Sequence, residues 1–174
     1  MYSSRWFDKS LELRDGVRLT SRIWLPNNDN GPWPALLMRQ PYGREIASTI
    51  TYPHPEWFTS KGYMVIIQDV RGMGSSEGVF NAFTQEASDT SETHEWVRSL
   101  NECNGKLGLY GFSYQGFTQL IGELNSKPPD CLSPAMTGLN IKDHWCSDGG
   151  AYWWHNNIAS VSYTHLTLPT NSNV

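Results

Sequence analysis

The chain has 174 residues and a formal net charge of −4, and 39% of its residues are hydrophobic and 17% charged. This size and balance are typical of one compact domain, and without a basic stripe or an apolar run of roughly 18 residues we expect no nucleic-acid or membrane partner. Its three cysteines lack C-x-x-C spacing, and the first residues do not form a secretory leader. Both features favour a cytoplasmic protein with reduced thiols.

The first part of the chain predicts a hairpin and two buried strands. Residues 11–26 alternate apolar and polar side chains on either side of Asp15-Gly16, which is typical of a β-hairpin. The runs ALLMRQ (35–40) and YMVIIQDV (63–70) are continuously apolar, as in strands covered on both faces. Between them, HPEWFTSKGY predicts a short helix that ends near Gly62.

The second part continues the alternation of strands and helices. A helix is predicted over 83–100, a buried strand over 106–112, a helix over 114–124 and a fourth strand over 132–139. Buried strands that alternate with helices predict an α/β fold with a parallel sheet, and an antiparallel hairpin in front is compatible with it. Catalytic groups of such sheets lie where the strands end.

The segment GLYGFSYQGF (108–117) places a serine where a strand turns into a helix. Gly111 and Gly116 would allow the close backbone approach of a nucleophile elbow, which lifts a serine hydroxyl clear of the sheet. The usual pattern is G-x-S-x-G, whereas Gln115 stands two residues after Ser113. A second interpretation therefore stays open, in which Ser113 only caps the following helix.

Five ordered motifs resemble one family of serine hydrolases. RDGVRL, RQPYGR, GYMVIIQDVRGMGSSEG, CNGKLGLYGFSYQGFTQ and PAMTG, within residues 11–155, are similar to the cocaine-esterase-like and X-Pro dipeptidyl-peptidase family. The elbow of that family reads G-x-S-Y-x-G, which accommodates Gln115. The resemblance implies an α/β-hydrolase fold, of which this chain holds the N-terminal part of the mostly parallel sheet and the start of a helical cap.

The resemblance also implies roles for individual residues. Ser113 would be the nucleophile that forms an acyl-enzyme, and the Tyr114 amide and the Tyr42 hydroxyl would form the oxyanion hole. The alternative for Tyr42 is a half-buried aromatic side chain in a Pro-Tyr-Gly turn. Asp69 precedes the serine, whereas the acid of an α/β hydrolase follows it, so we interpret Asp69 and Arg71 as a structural pair that holds the loop.

The acid and base of the triad have no convincing place in this chain. No strand that would carry them is predicted after residue 139, and we interpret His94 as a packing or surface histidine. We therefore expect the triad acid and base outside the chain, and the 174 residues alone to be nearly inert, because nothing would remove the serine proton. The candidates after Ser113 are Asp130, Asp143, His144, Asp148, His155 and His165.

The resemblance implies a small-molecule ester, amide or X-Pro peptide as the substrate. Trp145 would form an aromatic wall of the acyl pocket, although packing of the cap explains it equally well, and Tyr152, Trp153 and Trp154 are weaker candidates. For a peptidase, Glu45 or Asp148 could hold the free amine of the substrate. No cofactor or metal is expected, and a homo-oligomer stays open for the full-length parent.

Two further interpretations concern the chain as a whole. The rival class is a non-catalytic interaction or scaffold protein on an α/β-hydrolase fold, which would keep the turn glycines without the chemistry.

The last segment, with VSYTHLTLPT at 161–170, resembles one translated frame of a transposon-derived sequencing adaptor. The predicted organisation is thus a partial core over 1–139, the start of a cap over 140–160 and an adaptor scar over 161–174.

Overall fold

The computed structural model describes residues 4–28, 30–45 and 52–154. The chain divides into two compact units, residues 1–137 and 138–174. The described elements of the first unit are, in chain order, β1 (Ser4–Glu12), β2 (Arg18–Pro26), β3 (Trp33–Gln40), α1 (Pro55–Thr59), β4 (Met64–Asp69), α2 (Glu86–Ser99), β5 (Cys103–Phe112), α3 (Tyr114–Leu120) and β6 (Cys131–Ala135).

The predicted hairpin is present and is longer than expected. β1 and β2 pair antiparallel from Ser4 opposite Pro26 to Glu12 opposite Arg18. Gly16 takes a φ of +84° in the connecting turn, a conformation that favours glycine. The turn thereby supports the register that the alternation of apolar residues predicts.

The six strands form one sheet in the order β1-β2-β4-β3-β5-β6. β2 pairs antiparallel with β4, whereas β4, β3, β5 and β6 pair parallel to their neighbours. The predicted parallel sheet with an antiparallel hairpin is thus confirmed. The carboxyl ends of the four parallel strands share one edge, and the loops that follow β3 and β5 therefore meet there.

The central parallel strands β3 and β4 are covered on both faces, whereas β6 at the edge of the sheet is largely exposed. One buried cluster contains Leu37, Ile66, Leu107 and Leu109, and α2 contributes Val97 to it. The opposite face buries another set, Trp24, Met38, Val65, Ile67 and Tyr110. Burial on both faces explains why β3 and β4 read as continuous apolar runs rather than as alternating ones.

The two longer helices, α2 before β5 and α3 after it, are both shorter than predicted. α2 begins at Glu86 rather than at residue 83, because Phe83 takes a φ of +71° that no helix accommodates. α3 ends at Leu120 instead of 124. The buried face of α2 is largely polar and includes Glu86, Asp89, Thr90, Thr93 and His94. Apolar periodicity alone therefore misplaces the start of this helix.

The described part of the second unit is small. It contains a π-helical turn (Lys142–Cys146) and two short antiparallel strands, β7 (Ser147–Asp148) and β8 (Ala151–Tyr152). The Asn140 side chain accepts the Lys142 amide at 3.0 Å and the Asp143 amide at 3.2 Å at the start of the turn. Among the residues described in either unit, no helix is long and apolar enough to cross a membrane.

Burial of His94 makes the stability of the fold depend on pH. Burial, with Arg39 and Arg98 nearby, lowers the pKa of His94 from 6.5 to about 3. His94 is protonated below about pH 6.5 in the unfolded chain but only below about pH 3 in the folded chain. Between these values protonation favours the unfolded chain, so the free energy of unfolding falls as the pH falls.

We expect the free energy of unfolding to drop by about 2 kcal/mol between pH 7 and pH 5 from this residue alone. Urea unfolding of the 174-residue chain at both pH values measures the drop. His94→Gln, which cannot be protonated, should remove most of it. An equal drop in the variant would assign the pH dependence to other groups.

Candidate active site

Ser113 occupies a strained turn between β5 and α3. Its φ of 61° and ψ of −120° are rare for any residue with a side chain. Its amide donates to the Ala135 carbonyl of β6 at 2.9 Å, and its carbonyl accepts the Gly116 and Phe117 amides at 2.9 and 3.0 Å. The Ser113 side chain makes no capping bond to α3. The interpretation of Ser113 as a side-chain cap is therefore wrong, and the backbone alone holds the turn.

Glycine is required on one side of this turn, at Gly111, and is favoured on the other, at Gly116. A Cβ on Gly111 would lie 2.3 Å from the Gln115 Cβ, and one on Gly116 would lie 3.0 Å from the Ala135 carbonyl oxygen. Gln115 folds back into the turn, where its side-chain oxygen accepts the Phe112 amide at 3.1 Å. A glutamine two residues after the serine is thus accommodated by the elbow and contributes a bond to it.

Tyr42, two residues beyond β3, reaches the elbow. Its hydroxyl lies close enough to the Ser113 side chain and the Tyr114 backbone for both to lower its pKa. Burial raises the pKa of Tyr42, and the two contacts only partly oppose this effect. The phenol is therefore protonated at neutral pH and can act as a donor. The structure thus brings together the three residues that the sequence singles out.

A buried carboxylate positions the loop that carries Tyr42. Asp69, at the end of β4, is fully buried and accepts the Arg44 amide at 2.6 Å and its guanidinium at 2.8 Å. Gln40 accepts the Tyr42 amide at 3.0 Å, which fixes the other side of the same loop. Neither Gln40 nor Arg44 stands out as a functional residue in the sequence, although both flank Tyr42 in the motif RQPYGR.

The partner predicted for Asp69 is wrong, whereas its structural role agrees with the contacts. Arg71 does not pair with Asp69: its guanidinium binds Asp89 on α2 at 2.8 and 3.0 Å, and Asp15 in the hairpin turn at 2.6 Å. Two separate arginine–aspartate pairs therefore hold the loops after β3 and β4. The sequence suggested that Asp69 pairs with Arg71 because the two residues are only two positions apart. Their actual partners are distant in sequence and are brought close only by the fold.

Asp130, the one acid candidate of the first unit, and the two described histidines of that unit have other roles. The His54 side chain accepts the Glu56 amide at the start of α1, and His94 is buried beside Arg39 and Thr118. Asp130 accepts the Leu107 amide at 2.9 Å, a contact between the start of β6 and β5. Neither described histidine of this unit is hydrogen-bonded to Ser113.

The remaining candidates belong to the second unit. Trp145 lies in the π-helical turn and Asp148 in β7, and the Tyr152 and Trp154 rings lie 6.3 Å apart. Asp143 accepts from the Asn140 side chain at 2.7 Å, and His144 accepts the Asn140 amide at 3.3 Å. The role of Trp145 in an acyl pocket stays a prediction. His155, His165 and the predicted adaptor over 161–174 lie outside the described residues.

The arrangement suits acyl transfer to a serine hydroxyl. A hydroxyl stands on a strained turn, and a phenol and a backbone amide converge beside it, where a carbonyl oxygen could be polarised. Among the described side chains, no group of three His, Cys, Asp or Glu residues could hold a metal ion.

Comparisons with solved structures identify the class of the fold. A CocE/NonD family hydrolase from Staphylococcus aureus superposes with a TM-score of 0.81 at 22% identity, covering 95% of this chain and 34% of that one. An α-amino acid ester hydrolase superposes with a TM-score of 0.61 at 28% identity, covering 80% of this chain and 27% of that one. The chain has the N-terminal part of an α/β-hydrolase fold, as the sequence predicted.

The sequence comparisons define the family more narrowly. Residues 15–173 match the X-Pro dipeptidyl-peptidase (S15) family, and the chain belongs to it. Cocaine esterase from Rhodococcus sp. (strain MB1 Bresler) is 34% identical over 148 residues, which cover 80% of this chain and 25% of that protein. The chain thus spans about a quarter of the length of this relative.

The crowding at the elbow can be tested by adding one methyl group. We expect Gly111→Ala to lower the free energy of unfolding by roughly 3 kcal/mol or more, because the new Cβ overlaps Gln115 and the φ of 153° is strained.

Gly105→Ala is the matched control in the same strand. Its φ is +86° but no atom lies within 4 Å of the added Cβ, so only backbone strain of about 1 kcal/mol remains. Urea unfolding of both variants measures the difference. Equal losses would mean that the elbow is not sterically restricted at Gly111.

Proposed function

We propose that the protein to which this chain belongs is a serine hydrolase that uses Ser113 as its nucleophile. The observation that carries the proposal is the convergence of the Ser113 hydroxyl, the Tyr42 hydroxyl and the Tyr114 amide at one strained turn. Membership of the S15 family supports the same class of reaction.

The proposed reaction proceeds through an acyl-enzyme. The Ser113 oxygen attacks the substrate carbonyl and its proton passes to a general base, while the Tyr42 hydroxyl and the Tyr114 amide donate to the oxygen that becomes negative. Expulsion of the protonated leaving group gives the acyl-enzyme. Water then attacks the acyl carbon and releases the acid, and the serine recovers its proton.

We propose an ester rather than an X-Pro peptide as the substrate. A dipeptidyl-peptidase needs an acid that holds the free amine of its substrate, and Glu45 is one candidate near Tyr42 in sequence. The Glu45 carboxylate already accepts from Arg22 at 3.2 Å, and a substrate amine would have to share it with that guanidinium. The relative that is 34% identical is an esterase, which agrees with this choice.

The 174-residue chain is proposed to be inactive by itself. His54 and His94 are engaged elsewhere in the fold, and a serine without a base is a weak nucleophile. The acid and base would then be supplied by the remainder of a longer protein.

A fluorophosphonate probe and p-nitrophenyl butyrate test the function and its completeness together. We expect the full-length protein to be labelled at Ser113 and to hydrolyse the ester, and the 174-residue chain to show neither reaction at a comparable rate. Ser113→Ala should abolish both in the full-length protein, whereas Ser99→Ala, at an exposed serine on α2, should retain them.

Absence of labelling in the full-length protein would instead support a scaffold protein. Glycyl-prolyl p-nitroanilide tests the substrate class in the same assay. Faster cleavage of this peptide than of the ester would overturn the proposed preference.

Tyr42→Phe tests the oxyanion hole. The variant keeps the ring and loses only the hydroxyl, so we expect kcat on the ester to fall by roughly 10²–10³-fold, the usual effect of removing one such donor. Tyr63→Phe, a half-exposed tyrosine just before β4, is the control and should keep full activity. An unchanged kcat in Tyr42→Phe would remove the phenol from the mechanism.

A further inference from the structure

The side chain of Tyr114 is buried behind the elbow, away from its own backbone amide. Its hydroxyl donates to Glu86 at 2.9 Å and accepts the Phe83 amide at 3.2 Å. The ring stacks on Phe83 at a centroid distance of 5.2 Å and meets Phe117 edge-on at 5.9 Å. Both polar contacts of the phenol are therefore satisfied inside the protein, and the ring has one fixed orientation.

Glu86 connects this phenol to the strand that precedes Tyr42. It is fully buried, and its second carboxylate oxygen accepts Arg39 at 2.9 Å. Arg39, near the end of β3, also donates to Gln68 at 2.7 Å and to Thr90. The carboxylate is thus bonded to the elbow on one side and to β3 on the other.

The connection joins the two proposed oxyanion donors. Arg39 lies three residues before Tyr42, and the Tyr114 amide is the donor next to Ser113. A second bond, from the Thr118 hydroxyl of α3 to the Arg39 carbonyl at 3.3 Å, joins the same two elements. A shift of Glu86 would therefore change the distance between the strand that leads to Tyr42 and the turn that carries the amide.

The loop before α2 bears strain at the same place. Phe83 has a φ of +71°, unusual for an aromatic residue, and its amide is the one that the Tyr114 hydroxyl accepts. Burial, and secondly the Glu86 charge, raise the pKa of the Tyr114 phenol, which therefore remains a donor to the carboxylate. Strain of this kind persists where surrounding contacts over-determine the position of the chain.

We propose that Glu86 is a positioning residue of the active site, which through the Tyr114 hydroxyl and Arg39 sets the geometry of the oxyanion hole. The inference rests on the proposed function, since it assigns a task to the Tyr114 amide. Neither Glu86 nor the Tyr114 side chain touches the substrate in this scheme. Their effect is on how well the two donors match the oxyanion.

The test compares two single-atom changes in the full-length protein. Tyr114→Phe keeps the backbone amide and the ring and removes only the bond to Glu86. Tyr110→Phe is the matched control, because Tyr110 is also buried in the chain leading to the elbow but packs on the other face, against Tyr52 and Phe58. Titration with a fluorophosphonate counts reactive serines, so rates are expressed per functional site and unfolded protein does not contribute.

We expect Tyr114→Phe to lower kcat on p-nitrophenyl butyrate about tenfold with KM within about twofold, as the loss of one aligned bond implies. Phenylboronic acid, whose serine adduct imitates the tetrahedral intermediate, should bind more weakly by the same factor as the fall in kcat/KM. Glu86→Gln offers one acceptor oxygen to two donors, the phenol and the Arg39 guanidinium, and should therefore also lower kcat and the affinity for the boronic acid. A merely structural role would not link these three measurements.

The experiment distinguishes failure of the positioning role from failure of the proposed function. If the unaltered protein is labelled at Ser113 and Tyr114→Phe keeps its kcat, or loses no more than Tyr110→Phe, the positioning role is wrong and the proposed function stands. If Tyr114→Phe gives too few titratable sites, Glu86→Gln decides by the same boronic-acid comparison, and unchanged affinity overturns the inference. If the unaltered protein is not labelled at all, the proposed function fails and the positioning role fails with it.

Discussion

At the end of β5 the backbone passes so close to the start of α3 that glycine is required at Gly111, where a Cβ would lie 2.3 Å from that of Gln115. This contact forces Ser113 into a conformation that a residue with a side chain rarely adopts, and the bond to the Ala135 carbonyl holds it there. The serine hydroxyl is thereby kept off the α3 amides and presented at the carboxyl edge of the sheet. The rest of the site is arranged around that position.

Buried ion pairs bring the other groups to the serine. Asp69 with Arg44 holds the loop of Tyr42, and Glu86 with Arg39 ties β3 to Tyr114. Such pairs add little net stability, because removing charges from water costs about as much as the attraction returns. Their value here is geometric, since each carboxylate accepts bonds from two chain segments that are distant in sequence and fixes the distance between them.

Two parts of the proposed chemistry, nucleophilic attack and proton transfer, differ in whether the described residues supply groups for them. The proposed nucleophile and both proposed oxyanion donors follow β3 and β5, two adjacent parallel strands. In the described part of the first unit no histidine is positioned to accept the Ser113 proton, because His54 caps a helix and His94 is buried in the core. The chain spans about a quarter of the length of its esterase relative, and under the proposed function the acid and base belong to the remainder of a longer protein.

Much of this protein follows from local sequence. Continuous apolar runs imply strands buried on both faces, and the glycines around Ser113 imply the elbow, because backbone sterics act over a few residues. What the tertiary structure alone decided is which charges meet: Asp69 with Arg44 rather than Arg71, and Glu86 with Arg39 and Tyr114. It also decided that α2 begins after Phe83. Such partners depend on strand order and register, and no local pattern of residues records them.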